Sequence, residues 1–194
     1  MKTKSFFMLG LLAGIFWLSN CQQQSTEKMA TAEANLAKEA QVKRGEYLVS
    51  FAACDDCHTP KIMTPNGPEL DMSRRFSGHP AEDPFNADNK KELIMKEHVA
   101  VFSPDLTAVA GPWGVSYSAN LTPDDTGIGN WTEAQFMKAI REGKSKGMDG
   151  TRPLLPPMPW QVISNMTDED LKAVFAYLKT VKPVKNVVPN PKTL

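Results

Sequence analysis

The stretch Cys54–Pro60 reads CDDCHTP: two thiols separated by two residues, with an imidazole directly after the second. Three kinds of chemistry use thiols at that spacing. A disulfide across Cys-x-x-Cys is a redox motif, but it belongs in a βαβ context that this sequence does not offer, and the adjacent imidazole has no part in it. A structural zinc ion wants four ligands, so Cys54, Cys57 and His58 would need a partner, and only His79 and His98 are left to supply one. Cys-x-x-Cys-His is the attachment signature of c-type haem. Each thiol adds to a haem vinyl group to give a thioether, two residues on one helical turn set the sulfurs at a matching separation, and the next residue supplies the proximal imidazole. In a chain of this size the motif arises by chance on the order of once in a thousand, so haem attachment leads the three readings.

Haem iron has a second axial position, and its occupant decides between carrying electrons and binding small molecules. Ten methionines compete for it. Met1 and Met8 lie in an N-terminal apolar segment and Met29 in the polar stretch after it. Met137 falls inside an amphipathic helix, where a core or surface role is the plain reading. Met166 sits at the mouth of the last helix, and Met63 follows His58 too closely to reach the opposite haem face easily. Met158 stands between prolines in LLPPMPW, a stiff extended strap that cannot relax away from a metal, with Leu154, Leu155 and Trp160 beside it to keep water out. Met148, in the glycine-rich KGMDG, is the runner-up on a more flexible support. If neither binds, the iron is five-coordinate and the chemistry is that of a peroxidase or gas sensor.

These residues need helices to hold them. Tyr47, Leu48, Phe51 and Cys54 fall at helical spacing, which places the cysteine motif at the C-terminal end of a helix broken by Thr59-Pro60. In NWTEAQFMKAIREG, Thr132 and Gln135 form a capping box, and Gly143 stops the helix. TDEDLKAVFAYLKTV is capped by Thr167, carries acids in its first turn and shows the apolar stripe Leu171, Val174, Phe175, Leu178 and Val181. Between Lys61 and Asp125 prolines recur so often that long loops are expected, with only 89–99 as a short helix. The last residues, from Lys182, read as a proline-punctuated tail.

The N-terminus is of another kind. Lys2 and Lys4 precede an apolar run from Phe6 to Leu18, too short to span a membrane comfortably and placed like a secretory signal over residues 1–20. It ends in LSNC, which resembles the lipobox of bacterial lipoproteins, although Asn20 departs from the small residue usual there; a lipidated Cys21 would begin the mature chain. Residues 21–42 then read as a tether or a frayed helix. Loss of residues 1–20 leaves 20 basic residues against 22 acidic, a net charge of −2 that gives no reason to expect nucleic acid. The expectation is an exported protein facing the periplasm of a bacterial envelope, anchored to membrane through Cys21.

The runs RGEYLVSFAACDDCHTP, YSANLTPDDTGIGNWTEAQFMKAIREG, LLPPMPW and MTDEDLKAVFAYLKTVKPV resemble class I cytochrome c domains, in particular those of the cytochrome subunits of bacterial membrane-bound alcohol and sugar dehydrogenases. The resemblance covers about residues 43–60 and 113–185. It implies an all-α cytochrome c-like fold over 43–185, with residues 61–112 as a long loop insertion and 186–194 as a tail. It implies one covalently bound haem c, held by Cys54 and Cys57 and ligated by His58 and Met158. Trp131 in GIGNW would offer its indole N–H to a haem propionate, while as a bare residue it is equally a core side chain leading a helix. Pro68 in NGP would give its carbonyl to the His58 Nδ1–H. Gly45 and Tyr47 would pack across Phe175 and Tyr177. His79 and His98 read as solvated or locally bonded; Arg74 and Arg75 read as a solvated loop tip, with pairing to the propionates as the alternative. The function implied is one-electron transfer between a donor and an acceptor outside the cytoplasm, a dehydrogenase, an oxidase or another cytochrome, with no substrate chemistry of its own.

Overall fold

In the computed structural model the backbone is described for residues 11–194 and side chains from residue 28 onward. Of the signal expected over residues 1–20, residues 1–10 lie outside the described residues, as does the Cys21 side chain. The chain divides after Ala40 into two units. Residues 21–42, expected as tether or frayed helix, belong to helix α1 (Leu11–Phe51), and every side chain from Lys28 to Ala40 is exposed. Among the described residues no helix is long and apolar enough to cross a membrane.

The second unit, Gln41–Leu194, holds the rest. After α1 come the short helix α2 (Cys54–His58), strands β1 (Lys61–Thr64) and β2 (Gly67–Leu70), helix α3 (Lys91–Glu97), strands β3 (Val101–Phe102), β4 (Ala108–Gly111) and β5 (Gly114–Tyr117), and helices α4 (Glu133–Glu142), α5 (Trp160–Ile163) and α6 (Asp168–Leu178). The apolar stripe of α6 meets Leu48 and Val49 of α1, Phe136 and Ile140 of α4, and the loop residues Phe76 and Ile128 in one core. Phe136 and Phe175 bring their rings to 5.2 Å. Both caps read from the sequence form: Thr132 and Gln135 make the capping box of α4, and Thr167 accepts from the Asp170 N–H at the head of α6.

The all-α expectation is corrected by the segment expected to be loops. β1 and β2 form an antiparallel hairpin pairing Lys61 with Leu70 and Thr64 with Gly67, and β3, β4 and β5 form a three-stranded antiparallel sheet in that order. The prolines misled because two of them, Pro65 and Pro112, mark hairpin turns between paired strands only two to four residues long, and Pro68 lies in β2 itself. A second small core, Ala87, Ile94, Ala110 and Val115, lies between this sheet and α3. The expected helix at 89–99 is present as α3.

The expected tail is built in. Val115 and Lys192 exchange both backbone hydrogen bonds, at 2.7 and 3.2 Å, so the last residues extend the β5 edge. Asn186 donates through Nδ2 to the carbonyls of Ser77 and His79 and accepts from the Ala81 N–H.

Gly45 fixes how α1 crosses α6. A Cβ there would lie 1.9 Å from the Ala173 carbonyl oxygen and 2.7 Å from Cβ of Tyr177, so only glycine allows the approach. Tyr47 does not share this contact: it is 57% exposed and stacks on Phe51, with Arg44 over its ring. In Gly45→Ala the added methyl would gain about 1 kcal/mol of helix propensity, but a backbone carbonyl cannot swing aside as a side chain can, and overpacking of this kind costs up to about 3 kcal/mol. Denaturant unfolding should therefore show Gly45→Ala destabilised by about 2 kcal/mol; a stabilised variant would mean that the helices do not meet there.

Candidate haem site

Helix α2 consists of the cysteine motif itself, Cys54 to His58. It starts after Ala53, whose left-handed backbone (φ 54°) turns the chain out of α1, and it ends at Thr59, which is extended. One helical turn thus carries both thiols and the imidazole. Cys54 and Cys57 are free, partly exposed thiols. Burial, with Asp55 adding to it, pushes the Cys54 thiol up to about 11, and burial raises Cys57 against the opposing influence of Lys61. A dithiol poised for disulfide exchange has a depressed pKa, so this pair is unlike the redox motif considered from the sequence.

His58 is buried, and burial holds its imidazole below its usual pKa, in the neutral form that ligates metals. Its Nδ1–H donates to the Ala119 carbonyl at 2.8 Å. A carbonyl can only accept, so the proton is fixed on Nδ1 and Nε2 keeps its lone pair. No described residue makes a hydrogen bond to that Nε2. Pro68, expected to give this carbonyl, is instead in β2, exposed and paired with Met63. The role passes to Ala119 because the chain leaving β5 returns alongside the turn after α2: Gly78 N–H donates to the His58 carbonyl, His79 N–H to Ser118, and Leu121 N–H to Phe76.

A polar clamp missed by the sequence reading holds α2 from the other side. The Arg75 guanidinium grips the Asp55 carboxylate with contacts of 2.7 to 3.2 Å and donates a further hydrogen bond to Tyr177 Oη on α6 at 3.0 Å. Asp55 also accepts from Thr59 Oγ1, which in turn accepts from the Phe76 N–H. Arg75 is thus neither a solvated tip nor free for a propionate, and Arg74 pairs with Asp71 and Glu82. The signal available in the sequence was Asp55 itself, a carboxylate inside a turn that must pack on the core and so needs a cation. Lys61 caps the same turn, its ammonium bonding the carbonyls of Asp56, Thr59 and Asp105.

Met158 lies on the strap between α4 and α5. It is half-buried and packs against the main core, as do Cys54 and Trp131. The strap is pinned at its start by Leu154 N–H to the Gly143 carbonyl at 2.7 Å, and Trp160 lays its ring on Gly143, where a Cβ would be 2.4 Å from the indole. Met148 is 45% exposed and Met63 69% exposed. Trp131 is half-buried, and its indole N–H has no hydrogen-bond partner among the described residues. His79 is fully buried with both ring nitrogens engaged, Nδ1 with Thr107 Oγ1 at 2.7 Å and Nε2 with the Asp83 carbonyl at 2.9 Å. His98 is exposed at the end of α3. Among the described residues no group of three or more His, Cys, Asp or Glu could hold a metal ion, so neither histidine is brought into a zinc site with Cys54 and Cys57.

A family model described as cytochrome c matches residues 42–182. The chain belongs to the cytochrome c family. It is 35% identical over 185 residues to the fructose dehydrogenase cytochrome subunit of Gluconobacter japonicus, which covers 94% of this chain and 28% of that protein. It is 32% identical to the gluconate 2-dehydrogenase cytochrome c subunit of Pantoea cypripedii, over 82% of this chain and 27% of that protein. The cytochrome c subunit of the quinone alcohol dehydrogenase of Gluconobacter oxydans is 31% identical over 79% of this chain and 24% of its own length. The chain spans about a quarter of the length of these relatives.

Cytochrome c membership brings with it covalently bound haem c and electron transfer. The residues present fit that group: two unpaired thiols on one turn, and an imidazole whose Nδ1 has a carbonyl partner while its Nε2 has none among the described residues. In protein made without haem attachment, the raised Cys54 pKa sets its reactivity, because the thiolate is the nucleophile. Iodoacetamide should label Cys57 before Cys54 at pH 8, with the Cys54 rate still climbing as the pH approaches about 11. A Cys54 rate that levels off below pH 9 would contradict its burial.

Proposed function

We propose that this cytochrome c domain carries a single haem and passes one electron at a time between a dehydrogenase and a downstream acceptor outside the cytoplasm. Cys54 and Cys57 would hold the haem, with His58 as proximal ligand and Met158 as the second axial ligand. The haem supplies the redox couple. The chain's own part is to keep the imidazole neutral and oriented, to present a thioether on a strap that cannot fall away, and to exclude water. The observation that carries this reading is the His58 Nδ1–H bond to Ala119, which aims an unpartnered Nε2 away from that carbonyl. The Trp131 indole N–H, without a protein acceptor among the described residues, suits a propionate.

The donor is proposed from the relatives, which are cytochrome subunits of fructose, gluconate and alcohol dehydrogenases. With both axial positions filled by side chains the iron would have no site for a reactant, so the role is a carrier's and the dehydrogenase does the substrate chemistry. Lipidation at Cys21, after LSNC, would hold the domain at a bacterial membrane facing the periplasm, and the exposed helix up to Ala40 has the character of a spacer.

The test is spectroscopic. The ferric protein should show the weak near-infrared sulfur-to-iron band. Met158→Ala should abolish the band and lower the reduction potential, since loss of the thioether destabilises the ferrous state, whereas Met148→Ala should leave both unchanged. A high-spin spectrum in the untreated protein would instead favour an open iron site.

A further inference from the structure

Residues 61–112 and the sheet they feed supply none of the proposed haem ligands, yet β5 touches the supports of both proposed iron ligands. Ala119, two residues past β5, accepts from His58 Nδ1. Ser116, within β5, reaches the opposite side: its Oγ lies 2.6 Å from the carbonyl oxygen of Pro156, two residues before Met158.

We propose that Ser116 is the positioning residue for the Met158 strap, so that strand β5 yokes the supports of the imidazole and the thioether together. This rests on Met158 being the second axial ligand. Ser116 has one proton to give. Its two possible acceptors are the Pro156 carbonyl at 2.6 Å and the Val109 carbonyl at 3.4 Å, and the shorter contact takes it. Trp113 Nε1–H donates to the Ser116 oxygen at 3.3 Å, a long contact on the acceptor side that leaves the hydroxyl proton free for the carbonyls. The hydroxyl is buried, with Ser116 8% exposed, so water does not readily replace either partner.

The strap needs such a hold. Its own backbone hydrogen bonds near the ligand are local ones, Met158 N–H to Leu155 at 3.2 Å and Trp160 N–H to Met158 at 2.9 Å, and Pro156, Pro157 and Pro159 have no N–H to give. The strap is tied at its start through Leu154 and at its end through the Trp160 ring on Gly143. Ser116 supplies the tie between those points from a different element. The strand is itself fixed: β5 pairs with β4 on one side and meets Lys192 through Val115, and Ser118 N–H donates to the Thr107 carbonyl. Restraint of a weak ligand by its surroundings governs how readily a stronger exogenous ligand displaces it.

Imidazole binding to the ferric haem protein reads this restraint directly, because it requires the thioether to leave. Ser116→Ala should bind imidazole about tenfold more tightly than the parent, the equivalent of one hydrogen bond lost, and Ser116→Thr, which keeps the hydroxyl, should return to the parent value. Trp113→Phe leaves the Ser116–Pro156 bond in place and should change the affinity less than threefold. If Ser116→Ala does not fold, the pair Ser116→Thr and Ser116→Val, alike in shape and different in the hydroxyl, reads the same difference. Unchanged imidazole affinity without the hydroxyl, in protein that shows the sulfur-to-iron band, overturns the role of Ser116 alone. An equal effect from Trp113→Phe also overturns it, by showing general loosening. Absence of the band from the parent protein overturns the Met158 ligand, and the proposal with it.

Discussion

The hydrogen bond from His58 Nδ1 to the Ala119 carbonyl joins segments 61 residues apart and decides what the imidazole can do. It fixes one tautomer, so the lone pair on the other nitrogen is always presented in the same direction, and burial keeps that nitrogen unprotonated. Every other support of the turn serves this orientation. Arg75 holds Asp55 at the start of α2, Lys61 collects the carbonyls at its end, and Gly78 takes the carbonyl of His58 itself. Rigidity of this kind matters to an electron carrier because an iron whose ligands hardly move on changing oxidation state has little to reorganise.

That carbonyl can only be in place if the segment after β5 is itself held, which gives the strands a structural reason to exist. Ser118 and His79 are bonded through the backbone, Asn186 ties the loop at 77–81 to the C-terminal segment, and Lys192 closes the outer edge of β5. The buried His79, engaged at both ring nitrogens and lying 4.9 Å from the Tyr117 ring, packs the loop against the sheet. The last nine residues thus support the site from a distance although none of them touches it.

What was legible in the sequence is what local chemistry dictates. Attaching a haem through two thioethers with an adjacent axial imidazole would place the two cysteines and the histidine next to one another, so Cys54, Cys57 and His58 announce themselves, and the caps of α4 and α6 are set by residues three apart. The proline strap around Met158 is legible for the same reason, since proline fixes its own backbone. The partner of His58 was not legible: any carbonyl serves, so no side chain marks Ala119, and Pro68 in β2 was a wrong choice among equals. The strands were missed because pieces of two to four residues show no alternation, and the prolines in their turns (Pro65, Pro112) and in β2 (Pro68) read as loop. Arg75 was misjudged because its partner, Asp55, sits 20 residues earlier on a turn whose place in the fold the sequence does not state.

The chain spans about a quarter of the length of the cytochrome subunits it resembles, and its proposed chemistry stands or falls with a porphyrin joined to Cys54 and Cys57. The most direct measurement is the intact mass of the denatured protein after co-expression with a haem-attachment system. A mass exceeding that of the polypeptide by one haem, and returning to the polypeptide mass in Cys54→Ala/Cys57→Ala, is the expected result. A colourless protein with the mass of the polypeptide alone would contradict it.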